Sequence, residues 1–397
     1  MTSVALSQDL LKAFLTLKMS DDNLDEGERK MHRMKHVITF EACTKDELEM
    51  ADTAGIKILT YEEVINAGKS SIEELVFVEP QPEDHLLFSY TSGTTGDPKG
   101  VMVRHSMLLQ TAVASEKRIS QAYPVDESQC YISYLPLAHS FEQSLFGLSL
   151  VTGCKIGFFG GDVLKLVSDD LPALKPSIFP SVPRLYNRIF GKINDRVNTA
   201  ASCRKWLAKK AIETKMANLR TTGSVTHGCY DKVVFSKMKG LLGGNVKIMV
   251  CGSAPISKDV LDFLKVCFCA PICEGYGMTE TSAANCITKV GDPQSGHVGG
   301  PMANIKIRLR DIPEMDYLST TSPPRGEICF WGPGVMKGYY KNEEKTNECL
   351  ADGWLYSGDV AVVHDNGSIQ IIDRSKNIFK LSQGEYIAPE KLENIYI

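Results

Sequence analysis

Residues Tyr90 to Gly100, Tyr-Thr-Ser-Gly-Thr-Thr-Gly-Asp-Pro-Lys-Gly, constrain this chain more than any other stretch. The hydroxyls of Thr91, Ser92, Thr94 and Thr95 alternate with Gly93 and Gly96, and Asp97-Pro98-Lys99 closes the run before Gly100. The apolar segment His85 to Tyr90 reads as a short buried strand leading straight into it. Binding of a polyphosphate requires such a loop. Glycines let backbone N–H groups approach the anion, hydroxyls add donors, and a lysine supplies a point charge. A Walker A loop is excluded, because Lys99 is followed by Gly100 and its spacing from Gly93 is wrong. A flexible linker would need neither the stiff Asp-Pro-Lys segment nor the strand before it.

Before this loop the chain alternates helix and strand signals. Leu10 to Met19 has helical spacing, His36 opens the strand HVITFEA, and Thr44 with Glu47 makes a capping box for a helix to about Asp52. IKILTY and a second box, Thr60 with Glu63, repeat the pattern to a stop near Gly68. Val78 to Asp84, acidic and proline-containing, reads as a linker. Further strands are predicted at CYISYLP, KIGFFG, SIFPSV and VKIMVCG, with a basic helical stretch from Arg184 to Arg220. The βα alternation predicts a doubly wound, mostly parallel α/β sheet. Past Asn304 the segments IKIRLRD, GEICFWGP, DVAVVHD and SIQIID predict a small β-rich subdomain, with Asp365-Asn366-Gly367 as a hairpin turn. The expected division is a partial N-terminal α/β region (1–84), an α/β core (85–303), a β-rich subdomain (304–373) and a final stretch (374–397).

At 43% hydrophobic and 23% charged residues the composition is that of a water-soluble globular protein. A formal charge of −4 gives no support to a nucleic-acid partner and no electrostatic pull toward a membrane. The 12 cysteines are scattered, and Cys267, Cys269 and Cys273 lack the second CxxC pair of a zinc site, so buried free thiols are expected. His32 and His36 lack the intervening glutamate of a zinc protease and read as a solvated helix face. The N-terminus carries no secretory signal, and Leu145 to Gly160 is too broken by Gly147, Thr152, Gly153 and Lys155 to span a bilayer.

YTSGTTGDPKG resembles the phosphate-binding loop of the adenylate-forming superfamily, which includes acyl-CoA synthetases, luciferases and peptide-synthetase adenylation domains. Further segments match in the expected order. In Glu274-Gly-Tyr-Gly-Met-Thr-Glu280 the resemblance implies that Tyr276 stacks on adenine, Thr279 meets the α-phosphate and Glu280 helps hold Mg²⁺, with Thr94 as a second ligand and Glu274, Gly275 and Gly277 lining the nucleotide. An aromatic ring between glycines can lie flat against a base, and a carboxylate beside phosphates makes sense mainly as a metal ligand. In Trp354-Leu-Tyr-Ser-Gly-Asp359 it implies that Asp359 binds the ribose hydroxyls; a carboxylate accepts two bonds from a cis-diol. In Asp373-Arg-Ser-Lys376 it makes Arg374 the ribose- and phosphate-contacting arginine and Lys376 the hinge. Cys251-Gly-Ser-Ala-Pro255 resembles the small-residue turn (Gly252, Ser253, Ala254) beside adenine and acyl group. In Leu135-Pro-Leu-Ala-His-Ser-Phe-Glu142, His139 resembles the histidine near the reacting carboxylate, a satisfied core histidine being the competing reading. Arg184 and Arg188 face either an anionic substrate or solvent.

The run Asp352 to Asn394 is similar to the signature of long-chain fatty acyl-CoA synthetases. That resemblance implies ATP-dependent ligation of a long-chain fatty acid to coenzyme A through an acyl-adenylate. Lys99, Thr279, Glu280 and His139 would be the catalytic groups and ATP, Mg²⁺ and CoA the small molecules. The location would be cytoplasmic, or peripheral on the endoplasmic reticulum or another internal membrane. The family's second active lysine lies well beyond the hinge, and the chain ends about twenty residues past Lys376. The C-terminal lobe and much of the N-terminal half-core are therefore expected to be missing and the chain to be weakly active alone. A ligase for another acid and a noncatalytic nucleotide- or acyl-binding remnant are the alternatives.

Overall fold

The computed structural model describes residues 2–25, 28–72, 76–91, 97–374, 379–380 and 386–387. The chain divides into two compact units at Glu79/Pro80, inside the expected linker. In the first unit β1 (Ser3–Leu6), α1 (Gln8–Asp22), β2 (His36–Thr39), α2 (Lys45–Thr53), β3 (Lys57–Thr60) and α3 (Tyr61–Ser71) alternate. The strands pair in parallel in the order β1-β2-β3. Both capping boxes form. Thr44 N donates to the Glu47 carboxylate at 2.8 Å while Thr44 Oγ1 accepts from Glu47 N, and Thr60 and Glu63 repeat the exchange. Each satisfies two helix N-terminal donors that otherwise lack a partner. His36 opens β2 and His32 lies in a turn, so the expected shared helix face does not exist.

The second unit begins with β4 (His85–Thr91), β5 (Lys99–Arg104) and α4 (His105–Ile119). There follow β6 (Cys130–Ser133), α5 (Ser140–Thr152), β7 (Lys155–Phe158), the short α6 (Leu171–Leu174) and β8 (Ile178–Ser181). Next come α7 (Pro183–Thr199), α8 (Ser202–Thr222), α9 (Ser236–Gly240), β9 (Ile248–Cys251), α10 (Lys258–Phe268), β10 (Ile272–Met278), β11 (Ala283–Ile287) and β12 (Gly300–Pro301). Strands β10, β9, β8, β6 and β7 run parallel in that order, and β11 and β12 extend the β10 edge antiparallel.

Successive residues on a strand point to opposite faces, and here both faces are covered. Ile132, Phe179, Met249 and Ile272 pack with Tyr186, Ile189 and Leu264 of the α7–α10 layer. Their neighbours Tyr131, Ile178, Ile248 and Cys273 pack with Ala114, Leu145 and Leu148 of α4 and α5. Double-sided burial is why these strands read as unbroken apolar runs rather than alternating ones.

The remaining elements are β13 (Lys306–Arg310), β14 (Arg325–Trp331), α11 (Glu343–Cys349), β15 (Leu350–Ala351), β16 (Trp354–Val363) and β17 (Ile369–Arg374). They form an antiparallel sheet of order β13-β14-β16-β15, with β17 on β16 and Gly367 at φ +78° in the hairpin turn. A third core joins Val101 and Val103 of β5 to Ile328, Phe330, Leu355 and Ala361 of this sheet.

One expectation is corrected. β4 is not a buried strand of the parallel sheet: it pairs antiparallel with β5, and only Ser89 along it is buried. Apolar content marks a strand but does not name its partner, and here the partner is the next strand in the chain. The basic stretch Arg184–Arg220 is helical as expected, and it forms two helices because Ala200 and Ala201 leave the helical backbone between α7 and α8.

The parallel sheet leans on Phe179, fully buried and stacked 6.1 Å from Tyr134 with Tyr186 edge-on at 6.0 Å. Phe179→Ala is expected to cost about 3–5 kcal/mol in urea unfolding. Leu10→Ala, at a site 52% exposed, should stay within about 0.5 kcal/mol.

Candidate active site

In an open parallel sheet the crevice beyond the carboxyl ends of the strands is where ligands bind, because strand-to-helix loops converge there. The turn Gly252–Ala254 leaves β9, Tyr276 lies near the end of β10 with Thr279 and Glu280 just beyond, and His139 follows β6.

At one end of the cleft the β4–β5 hairpin supplies Lys99, whose cross-strand partner is Thr91. The loop between them, Ser92, Gly93, Thr94, Thr95 and Gly96, lies outside the described residues. The hairpin is tied to a second segment. Tyr340 N donates to Gly100 O at 2.8 Å, Val101 bridges Tyr339, and Glu83 accepts from Arg104 at 2.6 Å and from Lys337 at 2.7 Å. Tyr339 then sits between a cation and an anion. The Lys99 ammonium lies 5.2 Å from its ring centre, and its hydroxyl donates to Glu280 Oε1 at 2.7 Å. Glu280 is 8% exposed, and its carbonyl accepts from Met336 N at 2.8 Å.

At the other end Asp359 on β16 stands opposite Arg374 on β17 in register. The Arg374 Nε is 3.6 Å from Asp359 Oδ1, while the Tyr276 hydroxyl donates to Oδ2 at 2.5 Å. Burial pushes the Asp359 carboxyl above the ordinary range; the bond from Tyr276 and the charge of Arg374 oppose it, and Glu280 adds repulsion. Gly358 bends the strand at φ +75° and donates its N–H to Glu327 Oε1 at 2.8 Å, fixing the turn that presents Asp359.

Of the glycines around Tyr276, Gly277 is the one that sterics demand. A Cβ there would lie 1.4 Å from Ala283 O, at a bulge where the β10–β11 register slips. Gly275 has only ordinary contacts, the nearest at 3.7 Å. Gly252 lies 3.6 Å from the Phe141 ring by the same measure, and Ser253 holds φ +76°, so the turn packs close without a large side chain. His139 is exposed and caps α5, its Nδ1 accepting from Phe141 N at 3.2 Å; it is not a core histidine. Accepting at Nδ1 leaves the proton of a neutral ring on Nε2.

The Glu274 carboxylate is instead part of a brace. Its Oε1 accepts from Gly296 N at 2.9 Å, and the buried Lys265 donates nearby to Ser295 Oγ at 2.8 Å and Asp292 O at 3.2 Å. Arg184 and Arg188 are exposed on α7 and form no ion pair among the described residues. Lys376 lies outside the described residues. Sequence reasoning missed Tyr339 and Glu327. Glu327 lies inside a strand and Tyr339 at the end of a Gly- and Pro-containing loop, and only their long-range partners reveal them.

A family model described as AMP-binding enzyme matches residues 11–340. The chain belongs to the AMP-binding enzyme family. As a member it is 46% identical over 344 residues to the peroxisomal long chain acyl-CoA synthetase 7 of Arabidopsis thaliana, covering 86% of this chain and 48% of that protein. To the human long-chain-fatty-acid–CoA ligase 1 it is 40% identical, covering 97% of this chain and 54% of the relative. The chain thus spans about half the length of the curated relatives it matches. The adenylation domain of a Mycobacterium chelonae carboxylate reductase shares the fold at TM-score 0.74 and 23% identity, over 100% of this chain and 57% of that one. An O-succinylbenzoate coenzyme A synthetase of Bacillus subtilis, solved with AMP, does so at TM-score 0.65 and 19% identity, over 99% and 72%. Among the described residues no helix is long and apolar enough to cross a membrane.

In this AMP-binding enzyme the brace behind Tyr276 has a pH signature. Burial pushes the Glu274 carboxyl up from 4.5 to about 7, against the Gly296 bond and Lys265. Between those values the folded state holds a proton the unfolded chain has released, so stability falls as pH rises through the window and levels off above it. Glu274→Gln should flatten that slope, a difference of up to about 3 kcal/mol, read from urea unfolding at pH 5 and pH 8.

Proposed function

We propose that this chain carries the nucleotide- and acyl-binding part of an ATP-dependent long-chain fatty acid–CoA ligase. One observation carries the reading: Lys99, Tyr339 and Glu280 form one chain of contacts, Tyr276, Asp359 and Arg374 form another, and the Glu280 and Asp359 carboxylates lie near enough to repel. The acid type rests on the relatives, 40–46% identical and named for long-chain fatty acids.

The chemistry is the transfer of adenylate to a carboxylate. The fatty carboxylate attacks the α-phosphorus of ATP, forming a mixed anhydride and releasing pyrophosphate. The CoA sulfur then attacks the acyl carbon, and AMP leaves. Two anions must meet in the first step, so fixed positive charge governs the barrier. Lys99 supplies it on the hairpin, and Arg374 supplies it beside the ribose site. Asp359 offers two oxygens to a cis-diol, one of them now shared with the Tyr276 hydroxyl. Glu280 presents hard oxygen donors, and one carboxylate together with substrate phosphates is a set that suits Mg²⁺. Thr94 is the second protein ligand by family likeness. The ion, when bound, neutralises phosphate charge and orients the leaving oxygens. His139 at the N-terminus of α5 offers an Nε2 proton to an acyl oxygen, where the helix dipole also favours negative charge. Residues 85–303 would then serve as the nucleotide- and acyl-binding core, 304–373 as the β-rich subdomain, and Lys376 as the hinge.

Calorimetry with Mg²⁺–ATP tests the nucleotide site. Lys99→Ala and Asp359→Asn are each expected to weaken binding about 10–100-fold without lowering the unfolding temperature, the loss of one charge-assisted contact. ATP–pyrophosphate exchange tests the acid, with oleate expected to support more exchange than benzoate. Exchange with benzoate and none with oleate would favour a ligase of another acid. ATP binding with no exchange for any acid would favour a noncatalytic remnant, and no ATP binding by a folded sample sinks the reading.

A further inference from the structure

The chain as a whole is weakly acidic, yet residues 184–212 hold eight basic side chains against one acid, Asp195. Arg184, Arg188, Lys192 and Arg196 recur every fourth residue on α7, all exposed, while Tyr186, Ile189, Ile193 and Val197 face the core. Residues four apart neighbour one another on a helix, so these cations form one stripe. α8 carries Arg204, Lys205, Lys209 and Lys210 and also Trp206, which is 66% exposed. Trp206 precedes the buried Lys215 by nine residues, so it points roughly 180° away from the core. Lys205 Nζ donates to Asn198 O at 2.8 Å, and among the described residues none of the eight forms an ion pair. Beside the stripe, Val163 and Leu164, 50% and 70% exposed, line a shallow apolar groove with Arg188 and Lys192. The acids of that loop are partly occupied: Asp162 accepts from Leu164 N and Asp170 from Gly160 N, while Asp169 adds one more negative charge.

We propose that the outer face of the α7–α8 hairpin, with the Val163–Leu164 tip, docks on an anionic lipid bilayer. Cations pair with lipid phosphates and carboxylates, an exposed tryptophan prefers the headgroup layer, and aliphatic tips enter the acyl boundary. The aliphatic tips decide against a nucleic acid, which offers them no apolar phase. Screening limits the surface field to about 8–10 Å, so the local excess, not the net charge, is what a bilayer senses. The inference stands apart from the adenylate chemistry, since none of these residues lies in the cleft described above.

The test is co-sedimentation of the full chain with phosphatidylcholine vesicles, with and without about one-third phosphatidylserine. Binding is expected to the anionic vesicles only and to fall with salt, with a blue shift of tryptophan emission that Trp206→Phe abolishes. The combined variant Arg188→Glu, Lys192→Glu, Lys209→Glu and Lys210→Glu should lower the partition at least about tenfold. Lys289→Glu with Arg325→Glu, two exposed cations on other elements, should leave it unchanged. Circular dichroism confirms that each variant is folded. Equal binding to neutral vesicles, unchanged binding by the four-site variant, or RNA binding with no vesicle binding each overturns the proposal.

Discussion

Each of the two acids in the cleft is held by a phenol, and the rest of the site follows from that pairing. Glu280 and Asp359 are both largely removed from water and repel one another. Left bare, either would be a buried charge without a partner, which costs several kcal/mol. Tyr339 and Tyr276 prevent this by donating at 2.7 and 2.5 Å. Burial, and then the neighbouring acid, raise both phenols well above their usual range, so each keeps the proton it donates. Both carboxylates are thus aimed before any cation arrives, which is the preorganisation that charge stabilisation in a transition state depends on.

Tyr339 has a second consequence. Through it and Tyr340 the β4–β5 hairpin is fastened to the loop between β14 and α11, so the strand that carries Lys99 is held by backbone contacts. Arg104 reinforces the joint by donating to Val335 O at 3.1 Å as well as to Glu83. Three parts of the second unit meet here: the hairpin with Lys99, the turn after β10 with Glu280, and the antiparallel sheet with Asp359 and Arg374. No single part contains Lys99, Glu280 and Asp359 together, so the site exists only in the assembled second unit.

Much of this was legible along the chain because the signals are local. The capping boxes at Thr44 and Thr60, the apolar strands from Cys130 to Cys251 and the Asn-Gly turn before β17 all formed where spacing and composition put them. What stayed hidden depends on partners far away in sequence. His85–Tyr90 has the composition of a strand, but its pairing with β5 depends on a turn whose direction its residues do not encode. Tyr339 lies 59 residues from the acid it holds, in a stretch with no periodicity. Glu274 sits inside a nucleotide motif, yet its carboxylate is claimed by Gly296, a contact that only the folded loop creates. Gly275 and Gly277 look equivalent on paper, and the bulge at Ala283 makes only the second indispensable.

The same division between local and global separates net charge from surface charge. A net of −4 averages 44 basic and 48 acidic side chains over a whole molecule, whereas a partner feels only what lies within a screening length of its own surface. Helical periodicity converts sequence intervals of four into a continuous row, and the break at Ala200–Ala201 returns the chain so that α7 and α8 pack side by side. A basic stretch that looks diffuse in one dimension is thereby concentrated. The core supplies the reason it faces outward. Tyr186, Ile189, Ile193 and Val197 on one helix, and Ala211 and Leu219 on the other, occupy the inner stripe, so the cations and Trp206 are left to the solvent side. Trp206, exposed among cations that form no ion pair among the described residues, gains little from the packing of the fold. With Val163 and Leu164 beside the stripe, it is the grouping of apolar tips within a charged rim, not any one side chain, that has the character of a contact surface.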